Sequence, residues 1–170
     1  VDMEIPLTDG QCMLAPRVEA RLLQDLGVQK HEKVLEIGAG SGYMAALLAH
    51  RAQRVISLEI HAELARTARA NLQAAGVLNA EVRHVDGARG VPVEAPFDVI
   101  LLSGSLPEVP QSLLGHLKVG GRLGAIIGDD PVMRATIVTR VGESQFRTQQ
   151  PWDTVAPRLL NFPEPSRFSF

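Results

Sequence analysis

The stretch "KVLEIGAGSGY", residues 33–43, decides the fold of this chain. It begins with a short apolar run, residues 34–37, which is typical of a buried strand, and passes directly into Gly38, Gly40 and Gly42. Glycines at such a point let the backbone bend sharply and approach a ligand closely, because no Cβ atom intervenes. A small apolar helix is predicted next. The pattern therefore predicts a ligand site at the carboxyl end of the first strand, beside the helix N-terminus.

An acid follows at the position where a nucleoside site needs one. Glu59 ends the next apolar run, "RVISLE", 17 residues after Gly42. From the end of a second parallel strand, its carboxylate would accept hydrogen bonds from a ribose diol. The alternative is that the glycines only form a tight turn and that Glu59 is a solvated acid at a strand end. The two features together favour the nucleoside site.

The same alternation of strand and helix continues along the chain. We expect five βα units followed by an antiparallel hairpin, which is a doubly wound, Rossmann-like α/β sheet in a single domain. The predicted helices are residues 17–26, 43–52, 62–75 and 110–117. The predicted strands are residues 34–37, 54–59, 80–85, 97–103 and 122–127, with the hairpin at 134–141 and 146–152.

Composition excludes several classes of protein. The 170 residues carry a formal net charge of −2, which gives no bulk attraction to nucleic acids or anionic membranes. No apolar run approaches the roughly 20 residues of a membrane span. A single cysteine cannot form an internal disulfide, so we expect a reducing, cytoplasmic location. The five histidines show no metal-ligand spacing, and we expect no metal site.

The details of the glycine turn favour one nucleoside ligand. A dinucleotide fingerprint reads GxGxxG, whereas here Tyr43 occupies the place of the third glycine. Glu36, two residues before Gly38, would repel a pyrophosphate but suits a cationic ligand. The pattern E-x-G-x-G-x-G resembles the signature of S-adenosylmethionine-dependent methyltransferases. "DG" at residues 86–87 and "LKVGGRL" at 117–123 resemble later pieces of that superfamily. A nicotinamide oxidoreductase is the alternative from another class.

A narrower resemblance covers nearly the whole chain. The stretches "EIPLTDGQ" (4–11), "KVLEIGAGSGYMAALLA" (33–49), "VDGARGVPVEAPFDVILL" (85–102) and "LPEVPQSLLGHLKVGGRL" (106–123) are similar to the protein-L-isoaspartate O-methyltransferase family, as is the tail "VTRV…FRTQQPW". The resemblance implies S-adenosyl-L-methionine as cofactor and proteins or peptides with isoaspartyl residues as substrates. It also implies one methyltransferase domain over residues 1–170 that lacks an N-terminal stretch of some tens of residues. The cofactor residues it implies are Glu36, Gly38, Ala39, Gly40, Ser41, Gly42, Glu59, Ile60, Asp86 and Gly87.

The acceptor loop departs from the family. In the family this loop usually resembles "GQTISxP". In this chain the loop reads "GQCMLAP" at residues 10–16, which keeps Gly, Gln and Pro but has Cys12, Met13 and Leu14 in place of Thr, Ile and Ser. The resemblance places Gln11, Cys12 and Leu14 at the acceptor site, with Leu14 where the family has a serine. An isoaspartyl carboxylate is ionised near neutral pH, since its pKa is roughly 4, so no general base is required. A hydroxyl at position 14 would guide the acceptor, and its loss costs on the order of 1.5–3 kcal/mol.

Other groups are candidates for orienting the acceptor, and each could instead have a purely structural role. Arg17 is a cation at a helix start or a solvated surface residue, and Ser103 and Ser105 offer hydroxyls or cap a loop. Cys12 is a nucleophile or, more simply, a small apolar loop residue.

Three functions stay open: isoaspartyl carboxyl methylation, methylation of a different small-molecule or peptide acceptor, and cofactor binding with little turnover. The aromatic tail residues Phe162, Phe168 and Phe170 pack either across the domain or against a second subunit, so a homodimer stays open.

Overall fold

The computed structural model describes residues 15–129, 131–160 and 162. The elements, in chain order, are α1 (Pro16–Leu26), β1 (Lys33–Ile37), α2 (Tyr43–Ala49), β2 (Arg54–Glu59), α3 (Ala62–Ala74), β3 (Ala80–His84), β4 (Phe97–Leu106), α4 (Gln111–Leu114), β5 (Leu117–Asp129), β6 (Val132–Gly142) and β7 (Gln145–Thr154). They form one seven-stranded sheet in the order β3-β2-β1-β4-β5-β6-β7. Strands β1 to β5 pair in parallel, and β6 and β7 add antiparallel pairs at one edge. The predicted fold class, a Rossmann-like parallel sheet with an antiparallel hairpin, is confirmed.

The count of five βα units was too high, although none of the individual helices predicted from the sequence lies between the third and fourth strands. Residues 85–96 join β3 to β4 through turns and contain no helix. Gly87, Gly90, Pro92 and Pro96 fall within this stretch, and prolines and glycines are poor residues for a helix interior. The last predicted helix is also shorter than expected, four residues at Gln111–Leu114. The chain therefore crosses from the edge strand β3 back to β4 in an irregular segment that lies beside the site.

Two apolar cores lie on opposite faces of the sheet. One contains buried residues of α1, α2 and α3 against strand residues such as Val34 and Val55. The other contains Leu35 and Ile56 with Leu113 and Leu114 of α4. Since successive strand residues point to opposite faces, Glu36 shares the face of Val34, on which α1 packs. No helix in the described part of the chain is long and apolar enough to cross a membrane.

The stretch "LKVGGRL", residues 117–123, lies in β5 where its register with β4 is irregular, and it gives a first testable prediction. A Cβ atom on Gly121 would lie 2.9 Å from each of two backbone oxygens, those of Asp98 and Lys118. Backbone cannot move aside cheaply, so Gly121→Ala is expected to lower the free energy of unfolding by about 1–3 kcal/mol. Gly115→Ala is the matched control, because a Cβ there meets no atom within 4 Å. Urea unfolding of both variants measures the difference, and equal stabilities would contradict the steric argument.

Candidate active site

A cleft opens at the carboxyl ends of β1, β2, β3 and β4. It lies at the point where the chain order reverses, with β2 on one side of β1 and β4 on the other, which is where open α/β sheets bind ligands. About 730 Å³ of space not occupied by atoms lies in and in front of the cleft, open solvent included. Four of its lining residues are acids, Glu19, Glu36, Glu59 and Asp86, and we call it the acidic cleft.

Eight of the ten predicted cofactor residues line the acidic cleft. They are Glu36, Gly38, Ala39, Gly40, Glu59, Ile60, Asp86 and Gly87. Ser41 and Gly42 are not among its lining residues. Gly42 precedes α2 with φ +88, and a Cβ on it would lie 3.1 Å from the backbone oxygen of Ala68. The carbonyl oxygen of Ser41 accepts a hydrogen bond of 2.9 Å from Asn71. These two residues fasten the glycine turn to α3.

Gly38 begins the turn and needs the freedom of glycine. Its φ of +96 is one that other residues rarely adopt, and a Cβ on it would lie 3.0 Å from Leu159. Its backbone N–H donates a hydrogen bond of 2.8 Å to the carbonyl of Leu58, at the end of β2. The turn is thereby held close to the second strand, with the backbone bordering the cleft.

Glu59 is buried at the end of β2 and organises the turn. One of its carboxylate oxygens accepts a hydrogen bond of 2.9 Å from the backbone N–H of Gly40. The other accepts one of 3.0 Å from the N–H of His61. Each carboxylate oxygen has two lone pairs, so both retain capacity for a ligand hydroxyl. A ribose diol fits this acceptor pair.

Glu36, at the end of β1, is fully buried and bound by two hydroxyl groups. Ser57 and Ser103 each donate a hydrogen bond of 2.6 Å to one of its carboxylate oxygens. Burial raises the pKa of Glu36 to about 7; the two hydroxyl donors lower it, and the nearby Glu59 carboxylate raises it further. A cationic ligand beside Glu36 would favour its ionised form, so the geometry fits the cationic ligand predicted from the sequence.

Glu19, on α1, is an acid of the cleft that the sequence analysis missed. It is 2% exposed, and its Oε2 atom has no hydrogen-bond partner among the residues that the structure describes. Burial, and to a smaller extent the Glu36 carboxylate, raises the pKa of Glu19 to about 8. A signal for it was present in the sequence. Glu19 precedes Leu22, Leu23 and Leu26 at helical spacing, so it lies on the apolar face of an amphipathic helix.

Asp86 and Gly87 border the far end of the cleft, after β3. A carboxylate oxygen of Asp86 accepts a hydrogen bond of 2.9 Å from the N–H of Ala88, which fixes the turn. A Cβ on Gly87 would lie 2.7 Å from the side chain of Ile37. Glycine is therefore needed for the loop to reach the end of β1. Asp86 and Gly87 therefore lie together at the edge of the cleft, and their role toward an adenine stays a prediction.

The segment after β7, residues 155–160, crosses the carboxyl end of β4 and closes one side of the cleft. Ser105 pairs with it through backbone hydrogen bonds, from Ser105 N–H to Pro157 O (2.6 Å) and from Leu159 N–H to Ser105 O (2.9 Å). The hydroxyl of Ser105 donates to the carbonyl of Ala156 at 2.9 Å. Ser105 therefore fastens this segment, and Phe162, which also lines the cleft, packs against its own domain. Packing of the tail across the domain was one of the two alternatives left open by the sequence, but no pattern identified Ser105 as the residue that holds it.

The acceptor-side predictions have different outcomes. Gln11, Cys12 and Leu14 lie outside the described residues, as do Phe168 and Phe170. Arg17 lines a separate surface groove with Arg21 and Trp152, and it is not among the residues that line the acidic cleft. Within the described ranges, no group of three or more His, Cys, Asp and Glu residues is placed to hold a metal ion.

Comparison with known proteins identifies the family. The family model of protein-L-isoaspartate(D-aspartate) O-methyltransferase matches residues 1–154 of this chain. The chain belongs to that family. It is 48% identical over 147 residues to protein-L-isoaspartate O-methyltransferase 1 of Syntrophobacter fumaroxidans, in an alignment covering 86% of this chain and 69% of the relative. It is 45% identical over 127 residues to the protein-L-isoaspartate O-methyltransferase of Methanoculleus marisnigri, covering 75% of this chain and 58% of the relative.

The fold of a solved protein-L-isoaspartate O-methyltransferase agrees with this assignment. A Plasmodium falciparum structure described by that name, in complex with S-adenosyl-L-homocysteine, superposes with a TM-score of 0.81. The match covers 94% of this chain and 80% of that one at 21% identity, so it supports the fold alone. The chain spans between 58% and 69% of the length of the two relatives named above.

Proposed function

We propose that this chain is an S-adenosylmethionine-dependent methyltransferase that methylates a carboxylate of damaged, isoaspartyl residues in proteins, as its family name implies. One observation carries the proposal: the glycine turn lies between two buried acids, Glu36 and Glu59, at the reversal point of the sheet. Glu59 offers acceptors to a ribose, and Glu36 offers a counter-charge to a cationic group. This pairing suits a nucleoside that carries a positive charge, and it does not suit a pyrophosphate.

The roles of the cleft residues follow from their places around it. Glu59 and the backbone of Gly40 hold the ribose, while Asp86 and Gly87 hold the adenine edge beside Ile60. Glu36 and Gly38 border the end of the cleft that would hold the methionyl group. Ser41 and Gly42 act on the cofactor indirectly, by fastening the turn to α3.

The chemistry asks little of the protein beyond orientation. When bound, S-adenosylmethionine would supply a methyl group on a sulfonium: an O–CH₃ bond to the ionised carboxylate would form as the S–CH₃ bond breaks, and the thioether S-adenosylhomocysteine would leave with the electron pair. The acceptor has already lost its proton near neutral pH, since its pKa is roughly 4. The chain's own residues therefore hold the two reactants in line and exclude water. The segment at residues 155–160 covers one side of the cleft and serves that exclusion.

A second candidate is a family member with another acceptor. Leu14 has no hydroxyl to guide a carboxylate, and the cleft already holds the buried acids Glu36 and Glu59. Ionised, these acids would repel an anionic acceptor. A methyl-transferring enzyme for a neutral or cationic small molecule fits that charge better, and cofactor binding with little turnover is the further alternative.

A transfer assay separates these candidates. The protein is incubated with S-adenosylmethionine labelled in its methyl group and with an isoaspartyl peptide, and base-labile methyl ester is counted. The matched control is the same peptide with an ordinary aspartyl residue. Ester on the isoaspartyl peptide alone supports the proposal. Micromolar cofactor binding without ester contradicts it, and label on any other acceptor then favours the second candidate.

Leu14→Ser gives a sharper prediction for the acceptor side. One added hydrogen bond to a charged group is worth about 1.5–3 kcal/mol, so isoaspartyl methylation is expected to rise by about one to two decades. The assay is kcat/KM with the isoaspartyl peptide, with Leu14→Ala as the control for lost side-chain volume. An unchanged rate for Leu14→Ser would show that a hydroxyl is not what the loop lacks.

We also propose a cytoplasmic location. It is supported by the single cysteine, which can form no internal disulfide. Protein repair, as the role of this activity, rests on the family name.

A further inference from the structure

Glu19 has no function in the account given so far, yet its environment is costly for an acid. Its side chain is 2% exposed, it lines the acidic cleft, and its Oε2 atom has no hydrogen-bond partner in the described part of the chain. Burying a polar atom without a partner costs roughly 1–3 kcal/mol in proteins. A ligand group in the cleft that pairs with this atom would recover that energy.

The surroundings indicate the state of the Glu19 carboxyl group. The charged groups that line the cleft are Glu36 from β1, Glu59 from β2, Asp86 after β3 and Arg158 after β7. Three of the four are acids, and the guanidinium of Arg158 forms an ion pair with Asp129. Together with burial, the Glu36 carboxylate raises the pKa of Glu19 to about 8. At neutral pH the group therefore carries a proton, which makes it a hydrogen-bond donor.

We propose that Glu19 acts as a neutral carboxylic acid that donates a hydrogen bond to a carboxylate bound in the acidic cleft. A buried O–H donor is the complement of a carboxylate, and it offsets the repulsion that Glu36 and Glu59 exert on such a ligand. This inference rests on the proposed function for its ligands. Two carboxylates are available: that of the methionyl group of the cofactor, and that of the isoaspartyl acceptor.

Two variants of Glu19 distinguish a role as hydrogen-bond donor from a purely structural role. Glu19→Gln keeps the shape and an N–H donor, whereas Glu19→Met keeps the length and has no donor. Glu63→Gln, an exposed acid on α3, is the control for charge removal. Because Met removes a buried unpaired polar atom, we expect it to fold at least as stably as the parent, which thermal unfolding checks.

Binding of S-adenosylhomocysteine and of 5′-methylthioadenosine, measured by calorimetry, tells the two carboxylates apart, because only the first ligand has a methionyl carboxylate. If that carboxylate is the partner, Glu19→Met weakens S-adenosylhomocysteine about 10- to 150-fold and leaves methylthioadenosine unchanged. If the acceptor is the partner, both affinities stay the same and kcat/KM for the isoaspartyl peptide falls by that factor. In either case Glu19→Gln stays close to the parent.

The pH dependence supplies a second readout. The binding form is protonated, so the donated bond is present below the pKa of Glu19 and is lost as the pH rises through about 8 and above. The parent should lose affinity, or kcat/KM, relative to Glu19→Gln over that range. The ratio of the two proteins cancels the titration of the ligand itself.

Two results would overturn the inference. Equal behaviour of the Gln and Met variants in all three assays would show that no donor is used. Parent affinity that rises with pH relative to Glu19→Gln would show an ionised Glu19 facing a cation. Failure of the proposed function is seen separately, as a parent protein that makes no isoaspartyl ester, and the comparison of the two nucleosides still tests Glu19 in that case.

Discussion

Replacing Glu59 by alanine is expected to weaken the binding of S-adenosylhomocysteine by about two to three orders of magnitude. In the proposed function the carboxylate accepts hydrogen bonds from the two ribose hydroxyls, and each hydrogen bond to a charged group is worth about 1.5–3 kcal/mol. The variant also leaves the N–H groups of Gly40 and His61 without their acceptor, which loosens the turn that borders the ligand. Isothermal titration calorimetry measures the loss.

The controls separate the ribose contact from a general loss of structure. Glu59→Gln retains one acceptor oxygen but turns an NH₂ group toward one of the two backbone donors, so we expect an intermediate affinity. Glu63→Ala removes an exposed acid from α3 and should leave the affinity unchanged. Unfolding without ligand is measured for each variant. Parent-like affinity in a folded Glu59→Ala protein would show that the ribose is held elsewhere.

The second large effect concerns stability. Arg122 of β5 forms an ion pair with Glu32 at 2.7 Å and donates to the carbonyls of Leu26 and Gly27 at the end of α1. The side chains of Arg122 and Glu32 are only 16% and 8% exposed. Arg122→Met leaves a buried carboxylate and two carbonyls without this partner, so we expect the free energy of unfolding to fall by about 3 kcal/mol.

The matched control is Arg134→Met. Arg134 pairs with Asp153 at 3.8 Å on the surface, where both side chains are more than half exposed. Exposed pairs contribute about 0–1 kcal/mol, so this variant should stay close to the parent in urea unfolding. If the two variants lose equal stability, the partly buried pair of Arg122 and Glu32 is not a main fastening of α1 to the sheet.

The pair also sets an acid dependence of stability. Burial opposes ionisation of Glu32, but the hydrogen bonds from Arg122 and from the Gln29 backbone outweigh it, and the pKa of Glu32 lies below its usual 4.5. A lowered pKa in the folded state contributes stability above pH 4.5 that is lost as the pH falls through the folded value. Arg122→Met should therefore lose less stability on acidification than the parent.

Parts of the site that depend on short-range pattern were predicted from the sequence. The strand, the glycine turn and the acids Glu36 and Glu59 fall within 27 consecutive residues, 33–59. Parallel strands place their carboxyl ends at one edge, so two strand-end acids meet there in any sheet of this order. The helix predicted at residues 110–117 is only Gln111–Leu114 in the structure, because local propensity decides the ends of such a weak segment poorly.

By itself, the sequence determined the mostly parallel sheet, a ligand site at the carboxyl end of its first strand and the nucleoside class of the ligand. These features depend on the periodicity of apolar residues and on the spacing of glycines and acids. Both are local properties that can be read directly from the sequence. Only the tertiary structure decided that Glu19 Oε2 lies in the cleft without a hydrogen-bond partner among the described residues, that Ser57 and Ser103 bind Glu36, and that residues 155–160 close one side. Those contacts join elements that are distant in sequence, and their energies come from burial that exists only once the sheet has assembled.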